Sequence, residues 1–293
     1  HRVRLFDASP ERLAAADREI GERLHDLAEF DLLNGNADDV LQRLSHCTEL
    51  EEAVDGADHI QECIPEDLNA KKQMFAKLDM LAASSAVLAS SSSFLPASEF
   101  ASDLVGRSRV LVLHPANPPF LLRVAEIVPA PFTDTQTIDK THQLMTGSDM
   151  ACVRLASEVE GFAYNRLQGA LLREAYCLVR DGILSVHDID RLVRDALGLR
   201  WSVIGPFETS DLNTRGGIEA HAARMGPSYA RMGKERGQND PWTPELVAKV
   251  TNARRQALPL DKWQDRGSER DRALMALLRR RRQNPALAIC SDD

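Results

Sequence analysis

The chain contains no apolar run as long as a membrane span and no clustered cysteines. A membrane-spanning helix needs about 20 consecutive apolar residues, and the 293 residues hold neither such a run nor a signal-peptide pattern. The five cysteines are scattered, and none belongs to a CxxC pair or a Cys/His ligand cluster (Cys47, Cys63, Cys152, Cys177 and Cys290). These absences predict a cytoplasmic protein with no membrane partner, no disulfide framework and no metal site.

Positive charge is the second deficit. The formal net charge is −8, whereas a nucleic-acid-binding protein would present a basic face. The four arginines at 279–282 end a predicted helix, where cations are favoured in any case. We therefore expect no nucleic-acid partner. An anionic substrate would need a local positive site in an otherwise repelling field.

What the first half of the sequence does have is an alternation of short apolar runs with helical patterns. The length favours about two domains. Six runs have the apolar, β-branched character of strands, at 2–6, 59–64, 87–89, 110–113, 124–128 and 151–155. Helical patterns separate most of them, which predicts βαβ units and a mostly parallel sheet.

The pattern changes near residue 158, after which we find only helices. They are predicted at 165–181, from Ser185 to about 197, from 243–245 onward and at 271–282. Residues 224–241, rich in Gly, Pro, Lys and Arg, are expected to form an irregular connection. The sequence thus predicts an α/β domain over 1–157 and an all-α domain over 158–293.

One stretch of the α/β part, VLVLHPANPPFLLRVAEIV at 110–128, contains a histidine and a carboxylate. His114 follows the apolar run 110–113, at the carboxyl end of a strand, where open α/β sheets place their chemistry. The prolines after it stop the ladder, so an antiparallel return would bring Glu126 near His114. A carboxylate fixes the tautomer of an imidazole, which suits a general base.

Two other interpretations of these residues compete with the general base. A histidine at a strand end is commonly a satisfied polar residue, although a buried unpaired glutamate costs several kcal/mol and is harder to explain. The order Ser93, His114, Glu126 could also suggest a hydrolase. No GxSxG elbow surrounds any serine here, which disfavours it.

Asp7 ends the first apolar run. In dinucleotide-binding folds an acid at the end of the second strand binds the adenosine ribose and disfavours a 2′-phosphate. This position predicts NAD over NADP, with a simple strand-end acid as the alternative. The glycine fingerprint is absent, since only six residues precede Asp7.

Seven segments in order across most of the chain resemble the 3-hydroxyacyl-CoA dehydrogenase family, most closely its lambda-crystallin / L-gulonate 3-dehydrogenase branch. They are LFD at 5–7, HIQECIPEDL at 59–68, the serines at 90–93, HPANPP at 114–119, VAEIVP at 124–129, GFAYNRLQ at 161–168 and LGLRWSVIGPFETSDLN at 197–213. Bacterial carnitine dehydrogenases share much of this pattern. The resemblance implies a Rossmann-type, mostly parallel sheet domain followed by an all-α C-terminal domain.

The resemblance also implies catalytic roles. It makes His114 the catalytic base and Glu126 the carboxylate that orients it. Ser93 and Asn165 would donate hydrogen bonds to the reacting oxygen and so also bind substrate, with Ser92 as a one-residue alternative to Ser93.

For the cofactor, the resemblance implies that Asp7 binds the adenosine ribose of NAD. Glu66, Lys71 and Asn117 would line its nicotinamide half. The family's first strand and glycine loop would lie before residue 1, so we expect roughly 25 to 30 further N-terminal residues, from the usual glycine-to-acid distance plus one strand.

The implied function is NAD-dependent oxidation of the 3-hydroxyl of a small hydroxy acid such as L-gulonate, by a homodimer. Arg200, expected on a turn after a helix, is a candidate to hold a substrate carboxylate. An exposed arginine at a helix end is an equal alternative. A 3-hydroxyacyl-CoA or carnitine substrate and a non-catalytic, crystallin-like structural protein also stay open.

Overall fold

The computed structural model describes residues 1–202, 204–215, 217–236, 245, 256 and 259–284. The chain divides into two compact units, His1–Leu167 and Gln168–Asp293. Within the described residues, every strand belongs to the first unit and the second contains helices only.

The strands of the first unit form two sheets. The smaller is a parallel pair, β1 (Val3–Phe6) with β2 (Leu44–Cys47). The larger has the order β3 (His59–Glu62), β4 (Val87–Ser90), β5 (Val110–Pro115), β6 (Val124–Pro129) and β7 (Ala151–Arg154). Its neighbours run parallel except β5 and β6, which are antiparallel. The predicted mostly parallel sheet is confirmed.

Six helices lie wholly within the first unit. They are α1 (Pro10–Glu29), α2 (Ala37–Leu41), α3 (Leu50–Val54), α4 (Leu68–Leu81), α5 (Ala97–Ala101) and α6 (Thr135–Gly147). Ser9, Asp67 and Asp134 cap α1, α4 and α6, and each side chain accepts a backbone N–H of the first turn. Such caps satisfy amides that have no partner inside the helix.

The core places the end of β5 inside the protein. Alternate residues of β5 enter two apolar clusters on opposite faces of the sheet, Val110 and Val112 in one, Leu111 and Leu113 in the other. Helices cover both faces, which explains why this strand appears in the sequence as a continuous apolar run. His114 is the next residue, so the sheet itself carries it to the edge of the core.

The remaining helices belong mainly to the second unit. They are α7 (Phe162–Arg180), which begins in the first unit, α8 (Val186–Leu192), α9 (Leu199–Trp201), α10 (Pro206–Leu212), α11 (Gly217–Arg236) and α12 (Trp263–Gln283). Val193–Gly198 forms a π-helical turn between α8 and α9. Arg236 at the end of α11 donates a hydrogen bond to Asp181, the residue directly after α7, and so connects the two helices. Hydrogen bonds from Arg180 and Arg236 lower the pKa of Asp181 to about 2.

The structure corrects the sequence-based expectations at several points. The irregular connection predicted at 224–241 is wrong over 224–236, since α11 continues through Pro227. The last helix begins at Trp263, earlier than 271. The predicted helix start at 243–244 lies outside the described residues. The boundary predicted near residue 158 stays a prediction, with β7 ending at Arg154.

Candidate active site

His114 and Glu126 face each other across the antiparallel pair. They are register partners on β5 and β6, and His114 Nδ1 lies 2.8 Å from Glu126 Oε2. The two residues are only 7% and 4% exposed. Hydrogen bonding to an ionised carboxylate requires the proton on Nδ1, which leaves Nε2 as the nitrogen able to accept another proton.

The other oxygen of Glu126 binds the start of α7. Glu126 Oε1 accepts the backbone N–H groups of Ala163 at 2.8 Å and Tyr164 at 2.9 Å. The chain reaches this position through left-handed backbone at Gly161, with φ of +73°, a conformation that glycine adopts freely. Amides at a helix start stabilise a negative charge. Together with His114 on Oε2, they give both oxygens of Glu126 hydrogen-bond donors.

Two aromatic rings of α7 surround the imidazole. The ring centroids of Phe162 and Tyr164 lie 5.6 Å and 6.2 Å from that of His114. Phe162 is buried, whereas Tyr164 is 39% exposed. Sequence reasoning missed Tyr164, although its place between Phe162 and Asn165 at the helix start was visible. The buried imidazole therefore lies beside one buried and one partly exposed aromatic ring.

The serine tract forms a loop that Glu66 closes. Ser92 is buried and its hydroxyl donates to Glu66 Oε1 at 2.5 Å. Backbone N–H groups of Ser93, Phe94 and Leu95 donate to the same carboxylate. The Ser92 hydroxyl is therefore occupied, while the Ser93 hydroxyl has no hydrogen bond to any described residue.

These donors control the charge of Glu66. Partial burial alone would raise the pKa of this carboxyl group. The hydroxyl of Ser92 and the three backbone amides outweigh that effect and lower the pKa. Glu66 is thus held as an anion that organises the loop at 92–95.

The first turn of α7 connects the two clusters. Asn165 Nδ2 donates to the backbone oxygen of Ser93 at 3.0 Å, and Asn165 directly follows the two residues whose amides hold Glu126. The structure therefore gathers His114, Glu126, Ser93 and Asn165 around one helix start.

The other predicted site residues are placed differently. Lys71 is 1% exposed, and its ammonium binds Glu62 and Ser90 inside the protein. Asn117 is exposed in the proline-rich turn. Arg200 lies on α9 rather than on a turn, and it is exposed. It belongs to the second unit, and its substrate role stays a prediction.

The described residues offer neither a membrane-spanning helix nor a metal site. No helix there is long and apolar enough to cross a membrane. No group of three or more His, Cys, Asp or Glu side chains in the same part of the chain is arranged to hold a metal ion.

Comparison with known proteins gives matches along most of the chain. Family models match residues 1–159 (3-hydroxyacyl-CoA dehydrogenase, NAD binding domain) and 161–258 (3-hydroxyacyl-CoA dehydrogenase, C-terminal domain). Lambda-crystallin of Oryctolagus cuniculus is 37% identical over 286 residues, 96% of this chain and 89% of that protein. L-carnitine dehydrogenase of Streptomyces griseus is 32% identical and covers 94% of this chain and 82% of its own length.

A solved structure has the same fold. FHMPC 5-dehydrogenase, an NAD+ dependent dismutase, superposes with a TM-score of 0.80 at 24% identity, over 94% of this chain and 89% of that one. The predicted NAD-binding domain and the helical domain that follows are confirmed by these matches.

The partly exposed carboxylate at the end of β1 fits NAD. The Asp7 side chain is 34% exposed, and its Oδ1 accepts the N–H of Ser9 at 2.9 Å. Arg12 Nη1 lies 3.6 Å from Asp7 Oδ2. A carboxylate has about four lone-pair sites, so beside these two contacts Asp7 keeps acceptors for the hydroxyls of a ribose.

Replacing Glu126 tests the geometry of the site. A glutamine carbonyl accepts at most two of the three N–H groups that Glu126 binds, and its amide would face donors. We expect Glu126→Gln to lower the free energy of unfolding by about 1–3 kcal/mol, measured by denaturant titration.

Glu160→Gln is the matched control, because Glu160 is exposed just before α7. Its midpoint should equal that of the unsubstituted protein. Equal midpoints for all three proteins would contradict the arrangement around Glu126.

Proposed function

This chain belongs to the 3-hydroxyacyl-CoA dehydrogenase family, and we propose that it oxidises the 3-hydroxyl of a small hydroxy acid such as L-gulonate. The broader activity, NAD-dependent oxidation of an alcohol, is that of the family. The observation that carries the proposal is the hydrogen bond between His114 and Glu126, whose second oxygen is held by α7.

In this proposal His114 is the general base. Its Nε2 takes the hydroxyl proton of the substrate, and Glu126 stabilises the imidazolium that forms. NAD, held by the residues assigned below, would supply the acceptor for the hydride of the alcohol carbon. In the reverse direction His114 returns the proton to the carbonyl oxygen, so the same residue serves as the acid.

Ser93 and Asn165 are the proposed donors to the reacting oxygen. The Ser93 hydroxyl bonds no described residue, which favours it over Ser92, whose hydroxyl binds Glu66. Asn165 uses one amide hydrogen on Ser93 O, and the other remains for substrate. A donor of this kind is typically worth about 2–4 kcal/mol in the transition state.

For the cofactor, we assign Asp7 to the adenosine ribose and Glu66 and Asn117 to the nicotinamide half. The partly exposed carboxylate of Asp7 supports the first assignment. Lys71 is predicted for the nicotinamide half as well, and it is buried with its ammonium bonded to Glu62 and Ser90.

The substrate class rests on the relatives. Lambda-crystallin is similar over nearly the whole chain, and the segment 197–213 has the character of that branch. L-carnitine dehydrogenase is also similar over most of it, which keeps carnitine as the alternative substrate, beside a 3-hydroxyacyl-CoA. A crystallin-like structural protein without activity is the alternative of another class.

A panel of alcohols separates these proposals. Formation of NADH, followed by absorbance, should occur with L-gulonate and be much slower with L-carnitine and 3-hydroxybutyryl-CoA. Faster turnover of either competitor would reassign the substrate. A folded protein that turns over none of the three would favour the structural role.

We also propose a cytoplasmic homodimer, formed through the helical part at 158–293. Large apolar side chains exposed on its helices support this, among them Leu199, Phe207 and Leu212. A monomer mass in sedimentation equilibrium would contradict it.

The base assignment has a direct test. His114→Gln should abolish turnover, because the amide cannot take up the substrate proton, while NADH binding by fluorescence stays nearly intact. His142→Gln is the matched control, since His142 is exposed on α6 and its loss should leave turnover unchanged. Turnover retained by His114→Gln would remove the base assignment.

The substrate role of Arg200 is tested by Arg200→Met. If the guanidinium holds a substrate carboxylate, KM for the hydroxy acid should rise with little change in kcat. Arg191→Met on α8, also at an exposed arginine, serves as control. An unchanged KM for Arg200→Met would rule out that contact.

A further inference from the structure

A buried ion pair with a serine lies beneath the loop that carries Ser93. Lys71 Nζ on α4 binds both carboxylate oxygens of Glu62, at 3.1 and 3.0 Å. The hydroxyl of Ser90 donates to Glu62 Oε2 at 2.6 Å and lies 3.4 Å from the ammonium. All three residues are buried. We call Glu62, Lys71 and Ser90 the buried cluster.

The buried cluster holds the backbone that follows two strands. Glu62 ends β3 and its Oε1 accepts the N–H of Ile64 at 2.5 Å. Ser90 ends β4, and its hydroxyl oxygen accepts the N–H of Ser92 at 3.1 Å. Ile64 is two residues before Glu66, and Ser92 directly precedes Ser93. The buried cluster therefore holds the backbone next to both.

From Ser92 the hydrogen bonds continue to the proposed donor. The Ser92 hydroxyl binds Glu66 and receives the N–H of Leu95 at 3.0 Å. Glu66 accepts the amide of Ser93, and the oxygen of Ser93 accepts from Asn165. An unbroken set of hydrogen bonds therefore connects Lys71 to the residues around the reacting oxygen.

Stability alone does not require this arrangement. A buried ion pair is often no more stable than apolar residues of the same volume, but it specifies geometry. The first unit has a second such pair, Arg109 with Asp79 at 2.9 Å. Its remaining bonds go to the backbone oxygens of Asp79, Ala83 and Ala86 and to the amide of Gly106. That pair holds no residue of the candidate site.

We propose that Glu62, Lys71 and Ser90 are positioning residues that fix the loop at 92–95 and so aim Ser93 at the reacting oxygen. This inference rests on the proposed function, because Ser93 is the donor there. Lys71 then acts on catalysis through Ser90 and Glu62.

Ser90→Ala is the most selective test of this positioning role. It removes the hydroxyl that joins Glu62 to Ser92 and leaves the Lys71–Glu62 pair in place. We expect the amides of 92–95 to exchange with deuterium about fivefold faster. We also expect kcat to fall about 10- to 100-fold with little change in the substrate KM, because a displacement of about 1 Å costs rates of this order.

Thr141→Val is the matched control. Thr141 is also fully buried in the first unit, and its hydroxyl donates to a backbone oxygen of its own helix at 2.8 Å. Loss of that hydroxyl should leave both kcat and the exchange of 92–95 unchanged. A similar fall in kcat for both variants would show a general effect of destabilisation and overturn the proposal.

Coupling to Ser93 distinguishes positioning from a merely structural role. If Ser90 acts through Ser93, adding Ser90→Ala to the Ser93→Ala variant should not lower kcat any further. Multiplicative losses in the double variant would overturn the proposal. If Ser90→Ala does not fold, Glu62→Gln provides the same cycle, since glutamine keeps the shape of the side chain and removes its charge.

The exchange measurement separates this inference from the proposed function. It uses the protein without cofactor or substrate, so it reads the loop even if no alcohol in the panel is oxidised. Absence of turnover in the unsubstituted protein would refute the function. Unchanged exchange of 92–95 in Ser90→Ala would refute the positioning role.

Discussion

The site depends on a carboxylate held inside the protein. Isolated in an apolar interior, the charge of Glu126 would cost several kcal/mol, and the structure offsets this with three N–H donors. His114 supplies one and the first turn of α7 supplies two. Because the same carboxylate binds both, the tautomer of the histidine and the start of the helix are fixed together.

The fold brings these groups together by simple means. Strands β5 and β6 pair antiparallel in a register that places His114, directly after the apolar run of β5, opposite Glu126 in the middle of β6. Strands β3 and β4 run parallel to β5, so Glu62 and Ser90 lie at the same edge of the sheet as His114. The loop at 92–95 begins there. Asn165 then connects that loop to α7. His114 and Glu126 are thus held by buried strands, and Ser93 is held by its hydrogen bond to Asn165 of α7.

Part of this was readable from the sequence. Continuous apolar runs predicted β4, β5 and β6, and the proline-rich turn predicted the antiparallel return to Glu126. The segment LSHC of β2 contains no β-branched residue, so its pairing with β1 had no local pattern. Helix α11 contains Gly226 and Pro227, which favour a break. The partners of Glu126 and Lys71 escaped prediction because backbone amides and buried contacts depend on tertiary structure.

The tautomer of His114 tests the central claim most directly. Nitrogen-15 chemical shifts of the imidazole, measured on the protein without ligands, distinguish a proton on Nδ1 from one on Nε2. The account predicts that neutral His114 carries its proton on Nδ1, toward Glu126, and that this preference is lost in Glu126→Gln. A proton on Nε2 in the unsubstituted protein would contradict it, since that nitrogen could then no longer accept the proton of an alcohol.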